Sequence, residues 1–320
     1  MQIISKLNEI KKLNLPLAIA LGNFDGVHKG HQVLLHNCVE ESCHKAWFPS
    51  VLLWQPHPAQ VLQNNQEIKY LHTLEQKYKV IKSLGIQYLF SLPFSRQTAA
   101  LTPLEFVQEY LVNLFQVKKV FIGFNYSFGR KGSGTPELLK TLGEQKGFAV
   151  SIIEPVTIDG QLVSSSLIRQ KYEAGDMPGT AKLLGYYPTI EGPVVSGEHR
   201  GREMGFPTAN IAVSSLQALP SFGVYAAYTK YDGLFWSSLV NIGVKPTFNS
   251  KKVTVEVYLF DFKKNIYQEN LKISLLQKIR SEQKFKNKEE LQVQIGHDLE
   301  SARQILKKVN LNLGDISVSS

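Results

Sequence analysis

Leu17-Ala-Ile-Ala-Leu21 runs without a break into Gly22-Asn-Phe-Asp-Gly-Val-His28-Lys-Gly-His31, and Gln32 to Ala46 follows with a helical pattern. The first five residues are all apolar, as in a strand buried on both faces. A buried strand, a glycine-bearing turn and a helix form the unit from which parallel sheets are built. In such folds ligands sit beyond the carboxyl ends of the strands, which is where residues 22–31 fall. The turn offers backbone N–H groups and a helix amino terminus, a combination that favours phosphate. His28 and His31, at i and i+3 across Gly30, can both point into it and donate hydrogen bonds to phosphate oxygens. The same residues can instead cap the helix in an ordinary tight turn, and the motif alone leaves both readings open.

Working outward, Val51 to Trp54, Tyr88 to Leu92, Val120 to Gly123 and Ala149 to Ile153 read as further buried strands. Helix starts lie between them. Thr102-Pro103-Leu104-Glu105 offers an N-cap, a proline at the first helical position and a capping-box glutamate, and Thr135-Pro136-Glu137 repeats much of that signal. Alternating strands and helices predict an α/β, Rossmann-like domain with a parallel sheet covered on both faces, here assigned to residues 1–185. After the connector Gly185-Tyr-Tyr-Pro188 the pattern changes. Strand-like runs at Gly223 to Tyr228, Trp236 to Ile242, Val253 to Phe262 and Leu271 to Leu276 follow one another without helices. Lys288 to Val309 then carries Leu291, Ile295, Leu299, Ala302 and Ile305 at helical spacing. A small β-barrel with a carboxyl-terminal helix is predicted over residues 186–310.

Composition agrees with two globular domains: 320 residues, 43% hydrophobic, 20% charged and 10% aromatic. The net charge of +9 favours polyanionic partners, but the basic residues form no long run, so phosphorylated small molecules are expected and nucleic acid is not. Cys38 and Cys43 are spaced i and i+5 on a helix, which reads as two plain thiols rather than a metal site. Sparse cysteine fits a reducing compartment. No apolar run is long enough for a membrane span, and Leu13 to Leu21 is too short for a leader, so a cytoplasmic protein with no membrane partner is expected. Self-association is left open.

Three other segments carry chemistry. Gly123-Phe-Asn-Tyr-Ser-Phe-Gly-Arg-Lys-Gly-Ser-Gly134 joins aromatic faces, permissive glycines and two cations, without the spacing of a P-loop or a dinucleotide fingerprint. Ser164-Ser-Ser-Leu-Ile-Arg169 sets serines at a helix start with an arginine about one turn on. In Gly201-Arg-Glu-Met-Gly-Phe-Pro-Thr-Ala-Asn210, Gly201 and Gly205 permit a tight path and Pro207 stiffens the residues after it. Thr208 and Asn210 then offer two hard oxygen donors two residues apart, on one face if the chain is extended, suited to a Mg²⁺ that bridges phosphates. Glu256 sits mid-strand, as a solvent-facing charge or as a base for a hydroxyl proton.

Taken together, these motifs resemble the prokaryotic bifunctional FAD synthetases. Gly22 to His31, Gln55-Pro-His-Pro58, Leu92-Pro-Phe-Ser-Arg96, Gly123 to Gly129 and Ser164 to Arg169 are similar to their FMN adenylyltransferase module. Gly201 to Asn210, Gly223-Val-Tyr225, Asn241 to Thr247, Glu256 and Ile279 to Phe285 are similar to their riboflavin kinase module. The resemblance implies phosphorylation of riboflavin to FMN in the second domain and adenylylation of FMN to FAD in the first, with ATP as co-substrate and Mg²⁺ as cofactor. It implies catalytic roles for Glu256, His28 and His31. Phosphate and ATP contacts would come from Gly22, Asn23, Phe24, Asp25, Gly26, Gly30, Ser164, Ser165, Ser166 and Arg169. Gly201, Arg202, Gly205, Pro207, Thr208 and Asn210 would serve the second ATP, with Thr208 and Asn210 on the metal. Flavin contacts would come from Asn125, Tyr126, Phe128 and Arg280. The chain departs from the family at Ser166 (often Thr), Lys245 (usually Arg), Asn249 (usually Gly) and Gln268 (often Gly), and its loop between Phe248 and Val253 is short.

Overall fold

The computed structural model describes residues 1–62, 69–197, 205–246 and 251–309. Contacts divide them into two compact units. The first holds the described residues up to Ser164 except Lys69–Thr73, and the second holds those five residues and the chain from Ser165 onward.

The first unit is built on a six-stranded parallel sheet in the order β1-β4-β3-β2-β5-β6. Its strands are β1 (Gln2–Ile4), β2 (Leu17–Leu21), β3 (Phe48–Gln55), β4 (Tyr88–Pro93), β5 (Lys119–Gly123) and β6 (Ala149–Ile153). The five strands read from the sequence are all present; β1 is additional, because three residues at an edge carry too little pattern to be read. Helices α1 (Leu7–Ile10), α2 (Lys29–Lys45), α3 (Pro58–Leu62), α4 (Leu74–Ser83), α5 (Arg96–Ala100), α6 (Pro103–Phe106) and α7 (Pro136–Lys146) connect them. α6 starts with the expected capping box, since Thr102 Oγ1 accepts from the Glu105 amide at 3.3 Å and Glu105 accepts from the Thr102 amide at 2.7 Å. Ile19, Leu21, Leu52, Phe90, Val120 and Ile122 from the sheet share one core with Phe106, Leu111 and Leu139. Cys38 of α2 is buried, its Sγ 3.5 Å from the Ala18 carbonyl, and burial pushes its thiol up to about 12. Among the described residues no His, Cys, Asp or Glu cluster could hold a metal ion.

In the second unit α8 (Ser165–Ala174) and α9 (Met177–Leu184) pair with each other, and α9 packs on the barrel. The units therefore part between Ser164 and Ser165, earlier in the chain than the boundary read at residue 185. A short hairpin of β7 (Thr157–Ile158) and β8 (Gln161–Leu162) precedes α8. The barrel closes in the order β10-β13-β12-β11-β14-β9. Its strands are β9 (Thr189–Val195), β10 (Ala209–Ile211), β11 (Gly223–Tyr231), β12 (Leu234–Pro246), β13 (Lys251–Leu259) and β14 (Asn270–Ser281). On β13, Val255, Val257 and Leu259 are buried, while Thr254, Glu256 and Tyr258 alternate with them on the other face. α10 (Lys288–Lys308) lays Leu299, Ala302 and Leu306 against Val224, Ala226, Tyr228, Leu239 and Leu276. Tyr70 also belongs to this unit: its amide donates to the Leu216 carbonyl (2.7 Å) and its carbonyl accepts from Ala218 (2.8 Å).

Candidate functional sites

At the end of β2 the chain turns left-handed three times, at Phe24 (φ 48°), Gly26 (φ 74°) and Val27 (φ 34°). Positive φ is costly for a β-branched residue, so this turn is held in place by its surroundings. Phe24 is fully buried and Asp25 is 3% exposed. His28 is the N-cap of α2, and its Nδ1 accepts from the His31 amide at 3.3 Å. A nitrogen that accepts carries no proton, so the neutral ring keeps its hydrogen on Nε2 as a donor. The capping and ligand-facing readings of this histidine are thus compatible: one ring nitrogen caps and the other remains available to donate.

His31 stacks on His28, with centroids 3.7 Å apart and planes 13° apart, and lies 5.1 Å from the Phe24 ring. Burial lowers His28 from 6.5 to about 4. Burial, followed by the charges of His28 and Lys77, holds His31 well below its ordinary value. Both rings are therefore neutral near pH 7. The His31 Nδ1 is buried with no hydrogen-bond partner among the described residues. Gly30 makes the arrangement possible, because a Cβ there would lie 3.2 Å from His28 Cε1 and 3.3 Å from its Nδ1. The same Cβ position is 4.0 Å from the Val163 carbonyl, so the chain immediately before Ser164 runs beside this turn.

Gly22 is open enough for the Phe24 ring to pack at 3.2 Å from where its Cβ would be, and Asn23 is exposed. Ser165, Ser166 and Arg169 lie on α8 in the second unit. Beyond β5, Phe128 and Gly134 exchange two backbone hydrogen bonds (3.2 and 2.8 Å), closing the aromatic loop. Asn125 is exposed. Tyr126 stacks on Phe128 at 5.9 Å, and burial drives its phenol above the usual range. Phe128, expected to touch flavin, is 6% exposed and belongs to the core with Phe106. Its ring packs against Tyr126.

In the barrel, one cross-strand row runs Asn210↔Glu256↔Asn241↔Val224↔Arg280 through β10, β13, β12, β11 and β14. Directly opposed residues of antiparallel strands share a face, so the Asn210 amide and the Glu256 carboxylate are neighbours. Thr208 immediately precedes β10, two residues before Asn210. A Cβ at Gly197 would sit 2.0 Å from Asn210 Nδ2, so that glycine makes room for the amide. Thr208 also lines a cavity of about 480 Å³ with Pro207, Leu259, Phe262, Lys263 and Tyr267. Gly205 stands at φ 84°, the left-handed region expected of a tight path. Gly201, Arg202, Asn249 and the loop at 247–250 lie outside the described residues.

At the far end of the row Arg280 is already engaged. Its Nε and Nη2 contact the Asp298 carboxylate at 2.9–3.0 Å, and its Nη1 donates to the Ser281 carbonyl at 3.1 Å. Asp298 on α10 is 1% exposed. The guanidinium expected to reach flavin also ties α10 to β14.

Two family models match consecutive stretches of the chain: FAD synthetase over residues 10–167 and riboflavin kinase over residues 184–306. The bifunctional riboflavin kinase/FMN adenylyltransferase of Listeria monocytogenes is 36% identical over 91% of this chain and 93% of its own length. The chain belongs to the bifunctional riboflavin kinase/FMN adenylyltransferase family. Relatives of the same name in Bacillus subtilis (36% identical, 92% of this chain and 93% of theirs) and Escherichia coli K12 (33%, 89% and 91%) agree. A Streptococcus pneumoniae crystal structure described as a macrolide-efflux protein has the same fold, with TM-score 0.87 and 29% identity over 94% of this chain and 98% of that one. Among the described residues no helix is long and apolar enough to cross a membrane.

Within this family frame the structure adds residues that the sequence did not single out. Lys77 of α4 is 5% exposed and donates from Nζ to the Asn23 carbonyl at 2.9 Å, fifty-four positions away in the chain. A lysine in a helix pattern gives no sign of such a contact. Lys263 and Tyr267, which line the cavity beside Thr208, lie in a segment whose sequence reads as an ordinary loop.

Proposed function

We propose how the residues of this bifunctional transferase divide its two reactions. The chain phosphorylates riboflavin to FMN with ATP in its carboxyl-terminal barrel and adenylylates FMN to FAD, releasing pyrophosphate, in its amino-terminal domain. The observation that carries the kinase assignment is the opposition of Asn210 and Glu256 across β10 and β13.

In the barrel, Glu256 accepts the proton of the riboflavin 5′-hydroxyl while the oxygen attacks the γ-phosphorus of ATP and ADP departs. The cavity beside Thr208 takes this ATP, its lysines facing phosphate charge and its aromatic side chains offering surface to a base. Thr208 and Asn210 fit Mg²⁺: both are neutral oxygen donors two residues apart, and the gap left by Gly197 accommodates the amide. Bound there, Mg²⁺ would neutralise charge on the ATP phosphates. Gly201, Arg202, Gly205 and Pro207 shape the loop around that ATP.

In the amino-terminal domain a phosphate oxygen of FMN attacks the α-phosphorus of ATP, and the bond to pyrophosphate breaks. No covalent enzyme intermediate is needed. Neutral His28 and His31 donate hydrogen bonds to phosphate oxygens as charge builds. Residues 22–26 and Gly30 shape the anion-facing turn, and Ser164, in the same unit, supplies a further donor. Asn125 and Tyr126 hold the flavin. The enzyme acts in the cytoplasm on small molecules, without nucleic acid.

Chromatography of two incubations with ATP and Mg²⁺, one given riboflavin and the other FMN, tests this reading. FMN followed by FAD in the first and FAD in the second are the expected results. FAD only from supplied FMN would contradict the kinase assignment, and FMN without FAD the transferase assignment.

A further inference from the structure

We infer that Lys77 is a positioning residue for adenylyl transfer, its buried ammonium holding the anion-facing turn whose Phe24 packs against His31. The inference rests on the assignment of that turn to adenylyl transfer.

Lysine is rarely buried unless its ammonium is engaged. Lys77 is 5% exposed, and its Nζ donates to the Asn23 carbonyl at 2.9 Å. That carbonyl immediately precedes Phe24, where the left-handed excursion begins. A non-glycine residue at positive φ costs about 1 kcal/mol or more, so the excursion needs an outside restraint. The ammonium of α4, which packs on Asp25–Val27, is such a restraint. Phe24 in turn packs its ring 5.1 Å from His31. Fixing Asn23 therefore fixes the wall against which the catalytic imidazole rests.

The charge has its own consequence. The positive charge of Lys77 lowers the affinity of His31 for a proton, in addition to the effects of burial and of His28. His31 thus stays a neutral donor, with the Lys77 cation held at the Asn23 carbonyl of the same turn. A fixed cation in a dry site stabilises developing negative charge without reorganising. A plain helix tie would need only the hydrogen bond; this role needs the charge as well.

The test compares Lys77→Arg, Lys77→Gln and Lys77→Met in the full chain, with His31→Ala in parallel. FAD formation from FMN and ATP is measured as separate kcat and KM, and FMN formation from riboflavin serves as the internal control. Lys77→Met and Lys77→Gln should lower kcat for FAD formation about 100-fold. The KM for FMN and the kinase rate should be unchanged, and Lys77→Arg should recover most of the loss. Wild-type kcat in Lys77→Gln would overturn the inference, since charge would then be irrelevant. So would equal losses in Lys77→Arg and Lys77→Met. If Lys77→Met fails to fold, the Gln and Arg variants decide. FAD formation surviving in His31→Ala would overturn the site assignment itself. A dead His31→Ala beside a fully active Lys77→Gln overturns only the role given to Lys77.

Discussion

Asn210 and Glu256 stand directly opposite each other on β10 and β13, and Asn241 on β12 is the next member of the same row. The row gathers a neutral oxygen donor and a carboxylate on the face of β13 opposite to buried Val255, Val257 and Leu259. The barrel wall thus fixes the distance between the group that would hold the metal and the group that would take the proton.

If Asn210 holds Mg²⁺ in the kinase reaction, Asn210→Ala raises the Mg²⁺ concentration needed for half-maximal FMN formation by about tenfold or more. Titration of kinase activity with Mg²⁺ checks this. An unchanged midpoint would remove Asn210 from the metal.

Gly30→Ala separates activity from stability. Its new Cβ meets the His28 ring at 3.2 Å, so the imidazole must move. Alanine is the better helix former by up to about 1 kcal/mol, so stability should change little. A misplaced donor can cost roughly 100-fold in rate, so FAD formation should fall steeply while FMN formation from riboflavin holds. Thermal melting and both assays on one preparation check it.

The histidine pair makes stability pH-dependent in a defined direction. His28 titrates near 6.5 when unfolded and near 4 when folded, so the unfolded chain binds the extra proton between those values. Folding stability is therefore retained above about pH 6.5 and falls as pH drops toward 4, by up to about 1.4 kcal/mol per pH unit. His28→Asn keeps an N-cap and removes this proton. Its denaturant-unfolding curves should show a shallower loss between pH 6.5 and 4 than wild type; an equal slope would show that His28 is not the group concerned.

Much of the fold, and the segments that carry the candidate sites, can be read in the sequence because the signals are local. Leu17–Leu21, the capping box at Thr102 and the alternation around Glu256 each lie within a few residues of the feature they specify. The hidden features depend on long-range contact or on very short elements. The strand Ala209–Ile211 is three residues long and lies within a motif read for its chemistry. Lys77 reaches across to Asn23, and Arg280 to Asp298, and neither partner can be read from local pattern. Phe128 reads as a ligand face because its motif is aromatic, but only the fold reveals that Phe106 and Gly134 enclose it.

Arg280 separates a structural tie from a flavin contact. Arg280→Met would leave the Asp298 carboxylate buried without its cation, a change that typically costs about 3–5 kcal/mol. The barrel should melt at a lower temperature, while the KM for riboflavin measured well below that melt should stay near the wild-type value. A raised KM with unchanged stability would return Arg280 to the flavin.

The most direct test of the account is a single product analysis of two variants, His31→Ala and Glu256→Ala, each given riboflavin or FMN with ATP and Mg²⁺. His31→Ala should accumulate FMN without FAD, and Glu256→Ala should make FAD only when FMN is supplied. Loss of both products from either single change would contradict two separate sites.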